Sequence, residues 1–325
     1  MKRFLPIAAA LLLGAAQAPP PPAAAPPIQI AEGVTLLPGA FAPGRGPDGN
    51  TIVFDAPEGL IVVDTGRHTQ HSDGILAFAQ ARARPIAAIF NTHWHLDHSS
   101  GNVRLKAAYP NARVYTSNAI DRALTGFIAR NLEAARASLA QDMPDVQRDE
   151  TNIFIETMQT PDSLRPDAPI ERSGVMAVAG RTLDVRVAAN AVTEADVWLY
   201  DPQTRVAVVG DLVTFPAPFF ETACPNEWRM ALSAVSATPF ETVIPGHGAP
   251  MNREQFETYR RAYGAFIDCV SSSIAADACG ADWARRIDIF LADDQERRGA
   301  ARFAEYYVGF LRQNGGRSPD CQATR

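Results

Sequence analysis

Apolar positions along the chain recur with two different periods, and the switches between them mark out the elements. Residues 33–37, 51–55 and 59–64 are β-branched runs separated by Gly, Pro and Asn, as expected for successive strands of one sheet. A helix is predicted over 73–84. The apolar run 86–90 reads as a short buried strand, followed by a loop and a helix start at Ser99 or Ser100. After a further strand over 112–116, Ile120, Leu124, Phe127, Ile128, Leu132, Ala135 and Leu139 recur at helical spacing and predict one helix with a core-facing stripe. Residues 143–174 carry Pro144, Pro161, Pro166 and Pro169 with little periodicity. They are expected to form a long irregular connection of the kind that contributes to a binding site and its selectivity.

A second strand-rich block begins at 181–187 and continues with 196–200 and 205–211, which Asp201-Pro202-Gln203-Thr204 joins as a hairpin. A strand over 242–244 comes next. From 252 the chain is predicted helical, with Phe256, Tyr259, Tyr263, Phe266 and Ile267 on one stripe. A last helix over 294–312 carries Phe303, Tyr306, Tyr307 and Phe310. Two strand-rich halves flanked by helices predict an α+β fold, a four-layer αββα sandwich, over residues 30–260. Residues 261–325 are expected to form a helical extension packed on it.

The densest chemistry lies directly after the strand at 86–90. Asn91-Thr92-His93-Trp94-His95-Leu96-Asp97-His98 places three histidines and a carboxylate within six residues. In an extended loop, residues two apart project to one side, so His93 and His95 can grip one metal ion. Asp97 and His98 turn with the chain and can face a second ion or the far side of the first. Side chains this polar at the end of a buried strand need partners, which packing alone does not supply. Imidazole and carboxylate without cysteine favour zinc over iron or manganese. His68 and His71, at the polar start of the helix at 73–84, are expected to be solvated.

This stretch, His93-x-His95-x-Asp97-His98, resembles the signature of the metallo-β-lactamase superfamily. The resemblance extends to Val62-Val63-Asp64-Thr65-Gly66, Gly210-Asp211 and Ile244-Pro245-Gly246-His247-Gly248, in the family's order, and covers residues 30–260. It implies the αββα architecture more firmly than the periodicity does. It further implies that His93 and His95 hold one ion and that Asp97, His98 and His247 hold another, with Asp211 bridging. Asp97 would also orient the nucleophile. Asp64, which as local structure could simply cap a turn, would brace the histidine loop.

One position departs from the family, which places a further histidine before the Gly-Asp strand, commonly as His-Thr followed by a small residue and an Asp. Here Thr193 to Asp196 fit that spacing, and Val192 stands where the histidine is expected. Valine cannot ligate a metal. One tightly bound Zn²⁺ is therefore expected, held by Asp97, His98, Asp211 and His247, with the second site weak or empty. Asn190 and Glu194 are the residues that could swing in as substitute ligands.

The chain of 325 residues, 46% hydrophobic, is long enough to bury a sizeable core. Met1-Lys2-Arg3, the apolar run 4–16 and small residues up to Ala18 read as a leader over 1–18, too short for the ~20 residues of a membrane span. The Pro/Ala-rich stretch 19–29 reads as a tether. Export and no stable membrane insertion after cleavage follow as expectations. Losing Lys2 and Arg3 takes the formal charge from 30 − 36 = −6 to 28 − 36 = −8, a balance that disfavours nucleic acid as a partner. Cys224, Cys269, Cys279 and Cys321 suit one or two disulfides in an exported protein, with Cys269–Cys279 the favoured bridge and free buried thiols the alternative.

These features point to an exported zinc-dependent hydrolase acting on a small ester, lactone, lactam or phosphoester through a metal-activated water. No Ser-His-Asp arrangement or phosphate-binding glycine loop offers rival chemistry. The alternative is a non-catalytic member that keeps its metal and binds a ligand or partner, which Val192 favours. An iron-dependent oxygenase or redox protein of the same fold is a third reading, weakened because such members rely on the missing histidine.

Overall fold

The computed structural model describes residues 25–42 and 44–321; the expected leader and the first part of the tether lie outside the described residues. The first sheet contains, in spatial order, β1 (Ile28–Ala31), β2 (Val34–Leu37), β3 (Thr51–Ala56), β4 (Gly59–Val63), β5 (Ile86–Phe90), β6 (Arg113–Thr116) and β7 (Ala168–Pro169). Six helices connect its later strands: α1 (Thr69–Ala81) joins β4 to β5, α2 (Leu96–Ser99) and α3 (Asn102–Ala108) join β5 to β6, and α4 (Ala119–Thr125), α5 (Phe127–Ser138) and α6 (Asp145–Thr157) precede β7. The second sheet contains β8 (Gly174–Val178), β9 (Arg181–Ala189), β10 (Ala195–Asp201), β11 (Val206–Gly210), β12 (Thr242–Pro245) and β13 (Met251–Asn252), again neighbouring in sequence order. Helix α7 (Pro225–Ser236) joins β11 to β12, and α8 (Arg253–Val270), α9 (Ala276–Arg286) and α10 (Asp294–Gln313) close the chain.

Strand periodicity explains the layering, because successive side chains leave opposite faces of a sheet. Ile61 and Val63 of β4 meet Val197 and Leu199 of β10 and Val206 and Val208 of β11 in the core between the sheets. Their alternates go outward. Leu60 and Val62 pack under α1 and α3 with Ile75 and Leu105, while Trp198, Tyr200, Ala207 and Val209 pack under α7 to α10 with Trp228, Phe256, Trp283 and Leu311. The result is the expected αββα sandwich with a helical C-terminal region. Each large apolar side chain withdrawn from water in these layers contributes about 1.5–3 kcal/mol.

Several boundaries differ from the sequence reading. The stripe at 120–139 belongs to two helices that break at Gly126, whose φ of −114° and ψ of −102° leave the helical region. Residues 143–174 are more regular than predicted. They contain α6, which has no fully buried residue, so its apolar side chains face a cavity and give only a weak periodic signal. A short helix already starts at Leu96, and α1 starts at Thr69. Ile28 and Gln29, at the end of the expected tether, are part of β1. The division drawn at 260 falls inside α8. Cys269 is bonded to Cys279 and Cys224 to Cys321. No helix among the described residues is long and apolar enough to cross a membrane.

Candidate metal centre

Most pairings in the two sheets are antiparallel, but β4 to β7 pair in parallel in the first sheet, and β11 pairs β12 in parallel in the second. Parallel neighbours end on the same side. Every candidate ligand follows one of these carboxyl ends: His93 to His98 follow β5, Asp211 follows β11 and His247 follows β12, while the bracing Asp64 follows β4. The two edges are tied together by Asn50, whose backbone N donates to Gly246 O at 2.7 Å and whose side-chain amide donates to Pro245 O and Gly248 O. Val197 N donates to Thr92 O at 2.6 Å. Gly246 is required for a steric reason, since a Cβ there would collide with Asp211 Oδ1.

Two groups of three residues form at this junction, His93 with His95 and Asp211, and Asp97 with His98 and His247, each with ligand atoms within 4.8 Å of one another. Asp211 lies between them. Its Oδ2 is 3.7 Å from His93 Nε2, and its Oδ1 is 3.3 Å from His98 Nε2 and 3.6 Å from His247 Nε2. His247 Nε2 stands 3.0 Å from Asp97 Oδ2. All of these side chains are buried or nearly so.

The hydrogen bonds on the far side of each ring decide which nitrogen faces the junction. Asp64 Oδ1 accepts from Thr92 N, and its Oδ2 accepts from Thr92 Oγ1 at 2.8 Å. Having donated its proton, Thr92 Oγ1 accepts from His93 Nδ1 at 2.9 Å. The same Oδ2 of Asp64 accepts from His98 Nδ1 at 2.8 Å. Thr222 Oγ1 donates to Val192 O at 2.8 Å and so accepts from His95 Nε2 at 3.0 Å. His93 and His95 thus carry their proton outward and turn a lone pair inward, as metal-bound histidines do, and His98 is held by its Nδ1 in the same outward manner. His93 Nε2 and Asp211 Oδ1 are buried with no hydrogen-bond partner among the described residues. Orphaned buried polar atoms are costly unless something else satisfies them, and a divalent cation fits this donor set.

Burial, helped by the neighbouring His98, pushes His93 well below its ordinary range, and burial brings His95 down to about 4. Both are neutral at neutral pH, the form that can ligate a cation. Burial alone would raise Asp97 and Asp211, but His98 and His247 beside them hold both carboxyls down, so they stay ionised.

Neither proposed substitute for the missing histidine enters the junction. Glu194 Oε2 accepts from Trp94 Nε1 at 3.0 Å, with Arg122 Nε 3.9 Å from its other oxygen. Asn190 takes a positive φ of 54° and donates its N to Glu194 O. The loop keeps its shape because the buried Asp196 accepts from Val192 N, Thr193 N and Thr193 Oγ1. His68 and His71 correct the sequence reading, since both are buried. His68 Nδ1 lies 2.9 Å from Asp48 Oδ2 and its Nε2 3.0 Å from Glu150 Oε1 on α6, while His71 Nε2 lies 2.7 Å from Thr51 Oγ1. Their partners come from 20 to 82 residues away, which no local pattern discloses. Thr222 was equally invisible.

A cavity of about 540 Å³ opens onto the junction, with His95, Asp97, Asp211 and His247 in its lining. Its walls are largely aromatic and aliphatic: Trp94, Phe127, Ile153, Phe154, Phe219 and Tyr307 are among them, contributed by the histidine loop, α5, α6, the segment before α7, and α10. Arg67 and Glu150 are polar exceptions.

Comparison with known proteins places these features in a family. A profile of the "Metallo-beta-lactamase superfamily" matches residues 44–247. A "Linear primary-alkylsulfatase" of Pseudomonas sp. (strain ATCC 19151) is 26% identical over 246 residues, which are 64% of this chain but only 43% of that enzyme. Among solved structures, a metallo-beta-lactamase from Pontibacter korlensis is similar with a TM-score of 0.52 and 19% identity, covering 71% of this chain and 95% of the other. The stereoselective inverting sec-alkylsulfatase Pisa1 from Pseudomonas sp. is similar with a TM-score of 0.57 and 16% identity, covering 89% of this chain and 51% of that one. The chain therefore spans about half the length of the alkylsulfatases it matches.

Proposed function

Since the chain belongs to the metallo-β-lactamase superfamily, which includes hydrolases, we propose that it is a zinc-dependent hydrolase that cleaves an ester bond in a substrate with a long apolar arm. The observation that carries this reading is the apolar cavity ending on the candidate ligands. A site for small polar substrates would not need walls of Phe127, Phe154 and Phe219, whereas an alkyl chain gains from burial against them. The alkylsulfatase relatives make sulfate esters of alkyl alcohols the first candidates, ahead of carboxylic esters, lactones and lactams.

Within this reading Asp97, His98, His247 and Asp211 would hold one ion tightly, and His93 and His95 with Asp211 would offer a weaker second site. A divalent ion there would supply hydroxide at neutral pH and polarise the electrophile. Asp97, at the cavity floor, would orient the attacking water, and Asp64, Thr92 and Thr222 fix the histidines. Trp94 and Phe219 exclude bulk water from the reacting bond. The two disulfides support an oxidising, exported location.

The test is turnover of decyl sulfate, a decanoyl ester, a long-chain lactone and a chromogenic β-lactam by zinc-loaded protein, with and without chelator. The expected result is chelator-sensitive turnover that improves with chain length on one of the first three. Zinc binding with no turnover of any would instead favour a non-catalytic binder, the reading that Val192 motivates.

A further inference from the structure

We infer that Arg67 receives the negatively charged head of the substrate, selecting amphiphiles with a tetrahedral oxyanion, a sulfate or phosphate ester, over neutral esters. The inference rests on the proposed reading of the cavity as the site for an apolar arm. Arg67 is the only Lys or Arg among the described residues that line the cavity, whose floor holds Asp97 and Asp211. An anion approaching those carboxylates needs a compensating positive charge, and a guanidinium carries one at every relevant pH.

The surroundings hold Arg67 in place without using its donors. Its backbone N donates to Asp48 Oδ1 at 2.7 Å, beside His68 N on the same oxygen at 2.8 Å. The side chain passes over Gly46, where a Cβ would collide with its Nη1. The nearest carboxylate, Glu150, is already engaged: Oε1 takes Arg45 Nη1 at 3.1 Å and His68 Nε2 at 3.0 Å, and Oε2 takes Gly46 N at 3.0 Å. Arg67 Nη1 remains 3.9 Å from that oxygen, beyond hydrogen-bond range. Its Nε is likewise without a partner among the described residues. A guanidinium fork matches two oxygens of a sulfate or phosphate, and here it is left available at the edge of an apolar wall.

The experiment is calorimetric titration of the zinc-loaded full chain with octanesulfonate, octylphosphonate and 1-octanol, which share a tail and differ in head. The natural protein is expected to bind one or both anions at least tenfold more tightly than the alcohol, and the stronger anion distinguishes sulfate from phosphate recognition. R67Q is expected to lose about tenfold or more for the anion, the effect of one charge-assisted pair, and nothing for the alcohol. F154A is expected to weaken all three alike. Anion binding by R67Q equal to that of the natural protein, at equal zinc content, would overturn the role of Arg67 while leaving the cavity reading intact. If R67Q does not fold, R67M decides, because unchanged anion affinity without the charge and its donors has the same meaning. Absence of binding by all three ligands would overturn the cavity reading and this inference together.

Discussion

Thr222 Oγ1 sits 3.0 Å from His95 Nε2 and gives its own proton to the carbonyl of Val192, 2.8 Å away. The residue in the missing histidine's place therefore still acts on the centre, through its backbone. The hydroxyl has its single proton committed, so His95 must donate from Nε2 and keep its Nδ1 lone pair for a cation. Removing the hydroxyl in T222V is expected to weaken cation binding at the His93/His95/Asp211 group by about 10–100-fold, with T222S retaining most of it. Competition titration with a chromogenic zinc chelator measures this, and ¹⁵N shifts of His95 before metal addition report the tautomer directly.

Stoichiometry tests the role of Val192. Elemental analysis is expected to find one tight zinc per natural chain and two in V192H. Because Val192 is 1% exposed, the larger ring is expected to cost about 1–3 kcal/mol of stability unless the metal recovers it.

Asp64 receives three hydrogen bonds that orient two rings and the loop between them. D64N offers only one acceptor oxygen and presents a donor to groups that already donate. It is expected to destabilise the fold by about 1–3 kcal/mol and to lower zinc affinity, as denaturant unfolding and metal titration would record. D64A is expected to be at least as damaging.

His68 couples α6 to the first sheet. Burial opposes its charge, but Asp48 and Glu150 outweigh burial and raise it from 6.5 to about 9. The stabilisation is therefore complete below about pH 6.5 and is lost as pH rises through about 9. A shift of that size corresponds to about 3 kcal/mol. Unfolding free energy is expected to fall over this window by that order in the natural protein and by much less in H68Q. Amide exchange in α6 is expected to quicken over the same range, because Glu150 is the helix's link to His68.

The two disulfides differ in the loops they close, with sequence separations of 97 and 10. Loop entropy then predicts that losing Cys224–Cys321 costs about 4–5 kcal/mol and losing Cys269–Cys279 about 2–3 kcal/mol. Thermal unfolding of the two paired serine variants compares them.

The layers and the candidate ligands were legible because both leave short-range marks. The alternation in β4, β10 and β11 assigns alternate side chains to two different cores, and His93, His95, Asp97 and His98 follow a single strand, whereas Asp211 and His247 stood out only through the short motifs of the family resemblance. What stayed hidden depends on distance along the chain. His68 looked like a surface residue because its partners Asp48 and Glu150 are remote, and α6 looked like a loop because it lines a cavity and buries no residue fully. Thr222 carries no motif at all. Its role follows only from being set down beside His95 by a segment 127 residues away.

That segment has its own attachment. Ser318 N donates to Ala223 O, Ser318 Oγ bonds Glu221 O, and Cys321 is fastened to Cys224. The carboxyl-terminal tail thus grips the stretch that carries Thr222, and through it His95. A protease nick near 317, remote from every candidate ligand in sequence, would slacken that grip and loosen the imidazole's aim, so damage there would register as weaker cation binding at the distant His93/His95/Asp211 group.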